Sequence, residues 1–491
     1  MVYYFFIFLG IAFIRSLDSE YIMSFGGVDI AHNLILIGLN ILILVPLIWI
    51  VLLPPSAIYL FGASPALGML PEFHGLPFLR EFSHLMVFIT LIALYRVRSK
   101  TEFAYWHANQ PLLAYASFWV VSLIGVVFNF FLYGSLWQFR LGVSGLLIAG
   151  AYLAMLSLLA DGSEFRKMAF DRMLDGFIHS ALILAVLGFI VTMLLFLVPY
   201  SAGTNGFGND TIHGLGYFDR MQLLFPGPVY AGMFFVIAIC LVIYKMAIGK
   251  KASHHFYFIF LQAAPWLILA TGLRSAKLAL ILLLLVCLIN RSSRTIALYT
   301  LPSTLSALAI DFYCQSLPRA MTYFASHIQE IFPALTDFLG KSKVDPETLE
   351  WMSMRGKFFQ DAERHSLIQN SLEFFLNSSI SQKFLGNGLG VAGFRTPEIP
   401  SPHVTFMDLI IETGLIGVIL YSLWLYLLLW GLWMARTDIK NACNLSLILM
   451  TTCFVCLMIF SFTYEISTLG LTFVMLAMLL TYPLAFKSIA P

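Results

Sequence analysis

The chain has 491 residues, of which 60% are hydrophobic and only 11% charged. A water-soluble fold of this length would have to expose an apolar surface, so the composition excludes soluble and disordered classes and points to a helical bundle embedded in hydrocarbon. The formal net charge of +2 gives no support to nucleic-acid binding.

Taken in chain order, runs near the roughly 20 apolar residues that a bilayer core requires predict spans at 31–53, 82–97, 109–131, 137–159, 174–199, 226–247, 255–271, 274–290, 295–313, 406–433, 443–462 and 466–485. Residues 3–14 add a short span, read as retained because no small-residue cleavage pattern follows it. Residues 55–70, with prolines at Pro54, Pro55 and Pro65, are read as re-entrant or interfacial. The fold class expected is therefore all-α and polytopic, with about 12 to 14 transmembrane helices.

Alternate short loops are basic. They carry Arg96, Arg98 and Lys100; Arg166, Lys167 and Arg172; Lys245, Lys250 and Lys251; Arg291 and Arg294; Arg436 and Lys440; and Lys487. The loops between them hold only Arg220 and Arg274. The positive-inside rule makes the basic loops and the C-terminus cytoplasmic. This parity divides the chain into an N-terminal bundle (1–313), a far-side loop (314–405) and C-terminal spans (406–491). The loop contains FFQDAERHSLIQNSLEFFLN, in which Phe358, Leu367, Ile368, Leu372 and Phe375 approximate one helical face. It is expected to form a helical cap lying on the outer membrane surface.

Five of the six cysteines lie in apolar runs, and Cys453 and Cys456 form a mid-helix CxxC without ligand-like neighbours, read as small apolar filler. No disulfide framework is implied, Cys314 standing alone near a helix end.

Three far-side features carry candidate chemistry. His403 lies between Pro402 and a helix expected to start near Thr405; residues 403, 414 and 417 then share one helical stripe, along which Gly414 and Gly417 admit a close neighbour. His403 is either a rigidly held titratable group or an interfacial histidine bonded to a loop. Arg274, in TGLRSA, sits in the shortest far-side turn, where a guanidinium either snorkels to headgroups or binds an anion such as phosphate. Lys277, nearly a turn deeper, either assists it or snorkels. Arg364 leads a loop helix that ends in Gly386, Gly388 and Gly390, a run that requires unusual backbone angles or a close approach. Arg220, Arg319, Arg355 and Arg395 are further far-side arginines. No nucleotide-binding, HExxH or GxSxG motif is present, and no carboxylates have metal-ligand spacing, so no metal or cofactor is expected.

In combination these features resemble the O-antigen ligase and polymerase superfamily, over about residues 210–485. The order matches: a short-turn arginine, a large loop with an arginine-led helix and a GNGLG turn, then His403 followed by Gly414 and Gly417. Val404 stands at a position that the ligase pattern keeps polar and the polymerase branch varies.

The resemblance implies a GT-C-like glycosyltransferase of the bacterial inner membrane, with its site facing the periplasm. Its donor would be an oligosaccharide on undecaprenyl diphosphate. His403 would be the catalytic base, Arg274, Arg364 and Arg220 would bind diphosphate, and membrane lipid, a chain-length regulator and a flippase would be partners. Polymerisation of repeat units is the activity expected; ligation to lipid A core is the alternative. Transport of the lipid-linked glycan is a lesser one, disfavoured because neither an internal repeat nor charge deep in several spans is evident.

Overall fold

The computed structural model describes residues 54–68, 110–133, 163–197, 228–248, 254–271, 274–289, 293–313, 369–388 and 405–437, and Met478. Every regular element among them is helical: α1 (Pro54–Gly68), α2 (Gln110–Tyr133), α3 (Ser163–Leu197), α4 (Pro228–Ile248), α5 (His254–Ala270), α6 (Arg274–Ile289), α7 (Arg294–Tyr313), α8 (Ile380–Leu385) and α9 (Thr405–Thr437), with a further helical stretch over 369–377. Two segments, Arg294–Tyr313 and Met407–Leu427, are long and apolar enough to cross a membrane, and shorter apolar segments lie within α2, α4, α5 and α6.

The helices begin and end where local chemistry directs. Proline occupies the first turn of α1, α2 and α4, where its missing N–H costs nothing and its fixed φ suits a helix. Between α5 and α6 only residues 271–273 intervene, and Thr271 closes α5 with both its N–H and its hydroxyl donating to the carbonyl of Ile268. At the other end of α6, the Ser293 hydroxyl donates to the carbonyl of Cys287 (2.8 Å) and Arg294 Nε to that of Leu288 (2.8 Å). A cation is favourable there because the last carbonyls carry the negative end of the helix dipole. The predicted span at 174–199 starts earlier, at Ser163. Hydropathy ends a predicted span at its first charges, whereas a helix continues as long as it can bury one face, here through Ala169, Phe170 and Met173.

α7 inverts the usual amphipathic pattern. It buries Ala297, Thr300, Ser303, Thr304, Ala307 and Asp311 and exposes Leu298, Tyr299, Leu305, Ile310 and Phe312. In water this arrangement is unfavourable; with lipid as solvent, small and hydroxyl residues gain by facing protein, where backbones approach closely and hydroxyls find partners. The partners are present. Gln262 Nε2 donates to the carbonyl of Tyr299 (2.7 Å), Trp266 Nε1 to Ser303 Oγ (3.0 Å), and Ser303 Oγ to the carbonyl of Gln262 (2.5 Å). Both helices carry an internal proline, Pro265 in α5 and Pro302 in α7. A proline removes the donor to the carbonyl four residues before it, here Leu261 and Leu298. At the next residue of each helix, Gln262 and Tyr299, the carbonyl accepts a side-chain bond from the other helix.

α1 packs against α3 at two glycines. A Cβ on Gly62 would overlap the backbone of Met173, and one on Gly176 would overlap the carbonyl of Tyr59. Beside this crossing the Tyr59 hydroxyl and His179 Nδ1 share a hydrogen bond of 2.9 Å, and Lys245 of α4 pairs with Asp175 at 2.9 Å. Every described side chain of α1 from Ser56 to Ala66 is buried. The interfacial alternative for this segment is thereby overturned, since an interfacial helix keeps one face in water.

Side-chain pairings fix relative directions. Tyr115–Trp424 and Phe118–Tyr421 make α2 and α9 antiparallel; Phe170–Tyr244 and Phe177–Phe234 do the same for α3 and α4. Gln262–Tyr299 and Trp266–Ser303 make α5 and α7 parallel.

Candidate functional site

The site is built on a defect in α9. Its first piece starts at Thr405 with Asp408 in the first turn, where a carboxylate favours the positive helix end. The hydroxyl of Thr413 folds back to the carbonyl of Leu409 (2.8 Å), a bond that bends helices. At the next residue the helix breaks: Gly414 has φ 66° and ψ −171°, a conformation only glycine enters freely. Beyond it the helix resumes to Thr437.

A break inside an apolar helix leaves carbonyls in need of donors, and α8 with its following turn brings them. The backbone N–H of Asn387 donates to the carbonyl of Ile411 (2.8 Å), and that of Gly388 to the carbonyl of Glu412 (2.9 Å). Asn387 Nδ2 adds a second bond to Ile411 (2.9 Å). The turn is held from behind, because Gln382 Nε2 donates to Asn387 Oδ1 (3.0 Å) while Gln382 Oε1 accepts from the N–H of Ser379 (3.0 Å) in a capping box. One glutamine thus ties the start of the six-residue α8 to the turn at its end.

Glycines set how closely these pieces meet. Gly386 (φ 77°) and Gly388 (φ 97°) shape the turn. A Cβ on Gly386 would overlap the carbonyl of Glu412, and one on Gly414 the carbonyl of Phe384. On the remaining side Gly125 of α2 faces the carbonyl of Leu385, which would lie 2.8 Å from an added Cβ. Below this junction Tyr115 stacks on Trp424 (4.3 Å between centroids) and Phe118 meets Tyr421 edge-on (5.5 Å). The junction also encloses Asp408 and Glu412, 8% and 4% exposed. Carboxylates buried in an apolar helix persist only where the surroundings compensate them, and in membrane proteins they mark functional positions.

The candidate residues read from the sequence fall unevenly on the structure. His403, Arg364 and Arg220 lie outside the described residues, as does Gly390. Arg274 is the first residue of α6, at the tight turn from α5, and its side chain is outside the described set. Gly386 and Gly388 meet the expectation of unusual angles, and Gly386 that of a close approach as well. The single helical stripe through 414 and 417 does not form, because Gly414 is itself the break. At Gly417 the atoms nearest to an added Cβ are those of the Thr413 side chain.

Other described side chains bear on the remaining expectations. Lys277 is paired with Asp311 of α7 (2.5 Å), so it neither snorkels alone nor assists Arg274 as a free cation. Leu372, on the apolar face expected of the loop helix, is 48% exposed, and Ser371 beside it is fully buried. Charge lies toward the ends of the predicted spans: Asp175–Lys245, Lys277–Asp311, Asp408 and Glu412 are buried or partly buried. Hydropathy averages over them because each is a single residue in an apolar window.

Sequence reasoning missed Gln382 and Asn387. Ser379-x-x-Gln382 was a legible capping box, but nothing local indicates that Asn387 donates to a strand of backbone 24 residues away. Among the described residues no three His, Cys, Asp or Glu side chains converge as a metal site.

What the fold and junction define is an all-helical protein with membrane-capable helices and a loop clamped onto a broken helix. No protein-family model matches the chain, and no curated protein matches it.

Proposed function

We propose that the chain is a polytopic, GT-C-like inner-membrane glycosyltransferase that polymerises undecaprenyl-diphosphate-linked repeat units at the periplasmic face. The observation that carries this reading is the junction of α8 and α9. It ties residues 380–388, which follow Arg364 in the sequence of the far-side loop, onto the first piece of the helix that begins at Thr405, shortly after His403. Two segments remote in sequence, one C-terminal to Arg364 and one C-terminal to His403, thereby share one location. The helix directions support the topology: antiparallel α2/α9 and α3/α4 and parallel α5/α7 are the relations that alternating basic loops require.

The chemistry follows from the residue types. Transfer breaks the bond between the anomeric carbon and the diphosphate of the donor, and the departing lipid diphosphate needs cationic donors. Arg274, at the N-terminus of α6, combines a guanidinium with the positive end of a helix. With Lys277 engaged by Asp311, Arg274 is the cation of that turn assigned to the diphosphate, with Arg364 and Arg220 from the loops. His403, with an unperturbed pKa of about 6.5, accepts the proton of the attacking sugar hydroxyl, and a single displacement inverts the anomeric centre. Neither metal nor cofactor has a role in this scheme, and a chelator is expected to leave turnover unchanged.

The deciding assay supplies purified protein in detergent with a labelled lipid-linked repeat unit. A ladder of longer lipid-linked products is expected. Transfer only when lipid A core is added identifies a ligase instead. The break in α9 with its buried Asp408 and Glu412 favours a second reading, because discontinuous helices with ionisable residues line transport sites. Movement of the labelled lipid across reconstituted vesicles without new glycosidic bonds would establish transport and discard the polymerase.

A further inference from the structure

The tip of the far-side loop does not rest on the membrane; we infer that residues 380–388 re-enter the outer leaflet and that Leu376, Ile380 and Phe384 face its acyl chains. This inference rests on the membrane-embedded topology proposed above and adds a lipid-contact surface to it.

The argument begins with depth. α2 and α9 run antiparallel through Tyr115–Trp424 and Phe118–Tyr421, and α8 docks where Gly125 and Gly414 are the close-approach positions. With a rise of 1.5 Å per residue, Gly125 lies about 12 Å below the Tyr133 end of α2, and Ile411 about 9 Å below the Thr405 start of α9. Two helices of opposite direction thus give the same depth within half of a hydrocarbon core about 30 Å thick. A surface cap would meet these helices at their ends.

Backbone chemistry agrees. Irregular chain is tolerated at membrane depth only where it is buried in protein with its polar groups paired. Gly386, Asn387 and Gly388 are buried, their N–H groups donate to the carbonyls of Gln382, Ile411 and Glu412, and the Asn387 side chain is paired at both ends. A surface turn could leave these groups to water.

Within residues 380–388 the exposed side chains are apolar, Ile380 and Phe384, while Asn377 and Ser379 before them are exposed beside Leu376. Leu376, Ile380 and Phe384 are 57%, 76% and 49% exposed. At the same level α2 exposes Leu123, Ile124 and Val127, and α9 exposes Ile416 and Ile419. The loop tip therefore continues the outward apolar belt of the helices that hold it. Lys383 is compatible with this depth because its stem can carry the ammonium toward the headgroups. The polar residues Gln369 and Glu373, bonded to each other at 3.2 Å, lie toward the start of the described stretch, on the way to water.

The test places p-benzoylphenylalanine singly at Phe384, Ile380, Gln369 and Ile124 in the full chain, reconstituted in nanodiscs of phosphatidylethanolamine and phosphatidylglycerol. After illumination, intact-protein mass spectrometry reads covalent phospholipid adducts. Adducts at 124, 384 and 380, with their loss at 369, are the expected result. Adducts at 124 but none at 384 and 380 overturn re-entry and leave the membrane topology standing. Absence at all positions, 124 included, overturns both. Position 384 replaces one exposed aromatic by another; a melting temperature matching that of the unsubstituted protein verifies the fold.

Discussion

The crossing of α1 with α3 and the junction of α8 with α9 both depend on glycine, for different reasons. At the crossing, Gly62 and Gly176 lie within continuous helices, and what matters is the absent side chain, since a Cβ would meet backbone across the contact. At the junction, Gly386, Gly388 and Gly414 have φ between 66° and 97°, so what matters is backbone conformation as well as space. The first region encloses its polar groups in fixed pairs, Tyr59 with His179 and Asp175 with Lys245. The second directs backbone carbonyls outward to a loop and holds two carboxylates beside them. The difference separates a region that serves folding from one that has accepted irregularity, and irregular, strained backbone concentrates where proteins function.

Substitutions can break or sharpen this contrast. His403→Ala, adjoining the second region, is expected to lower chain extension roughly 100- to 10,000-fold while donor binding and melting temperature hold; wild-type polymerisation would make the histidine structural. Arg274→Lys keeps charge but loses the bidentate fork, so turnover is expected to fall steeply with insertion intact, and normal turnover removes Arg274 from the site.

In the first region Gly176→Ala forces α1 from α3 and is expected to cost about 3 kcal/mol or more, read as lost folded yield by size-exclusion fluorescence. Lys245→Met leaves Asp175 without its partner and is expected to cost about 3 kcal/mol, with most of the loss recovered in Lys245→Met/Asp175→Leu. Recovery of nothing would show that the pair contributes through other contacts. The smallest effect is expected from Asn387→Ala, about 1 to 2 kcal/mol from two side-chain hydrogen bonds. It should appear as faster hydrogen exchange confined to 380–388 and 411–414, accompanied by reduced turnover. If exchange quickens throughout the molecule, the junction belongs to the folding core and the contrast fails.

Helix positions were largely legible because apolar runs without glycine or proline clusters leave the backbone one low-energy choice in hydrocarbon. The predicted 255–271, 274–290 and 295–313 agree closely with α5, α6 and α7. The candidate site was legible in part. The glycines at 386, 388 and 414 stand out in the sequence, but there Gly414 signals only packing space inside a helix. A single glycine in an apolar run carries no local sign of whether its φ will be negative or positive. That sign depends on whether a partner arrives to satisfy the carbonyls a break would release.

The same limit applies to charge. Lys277 and Asp311 are 34 residues apart and become one neutral pair only when α6 and α7 align. The burial of Asp408 and Glu412 likewise depends on what packs over the head of α9.

Composition and periodicity alone determined that the described residues are helical, that helices among them are long and apolar enough to cross a membrane, and where those helices run, since these follow from the free energy of each residue against its surroundings. Tertiary structure decided that α9 is broken, that the 386–388 turn supplies its missing donors and that α1 lies wholly inside. Those outcomes depend on hydrogen bonds and backbone contacts between segments remote in sequence, whose energies exist only once the segments have met.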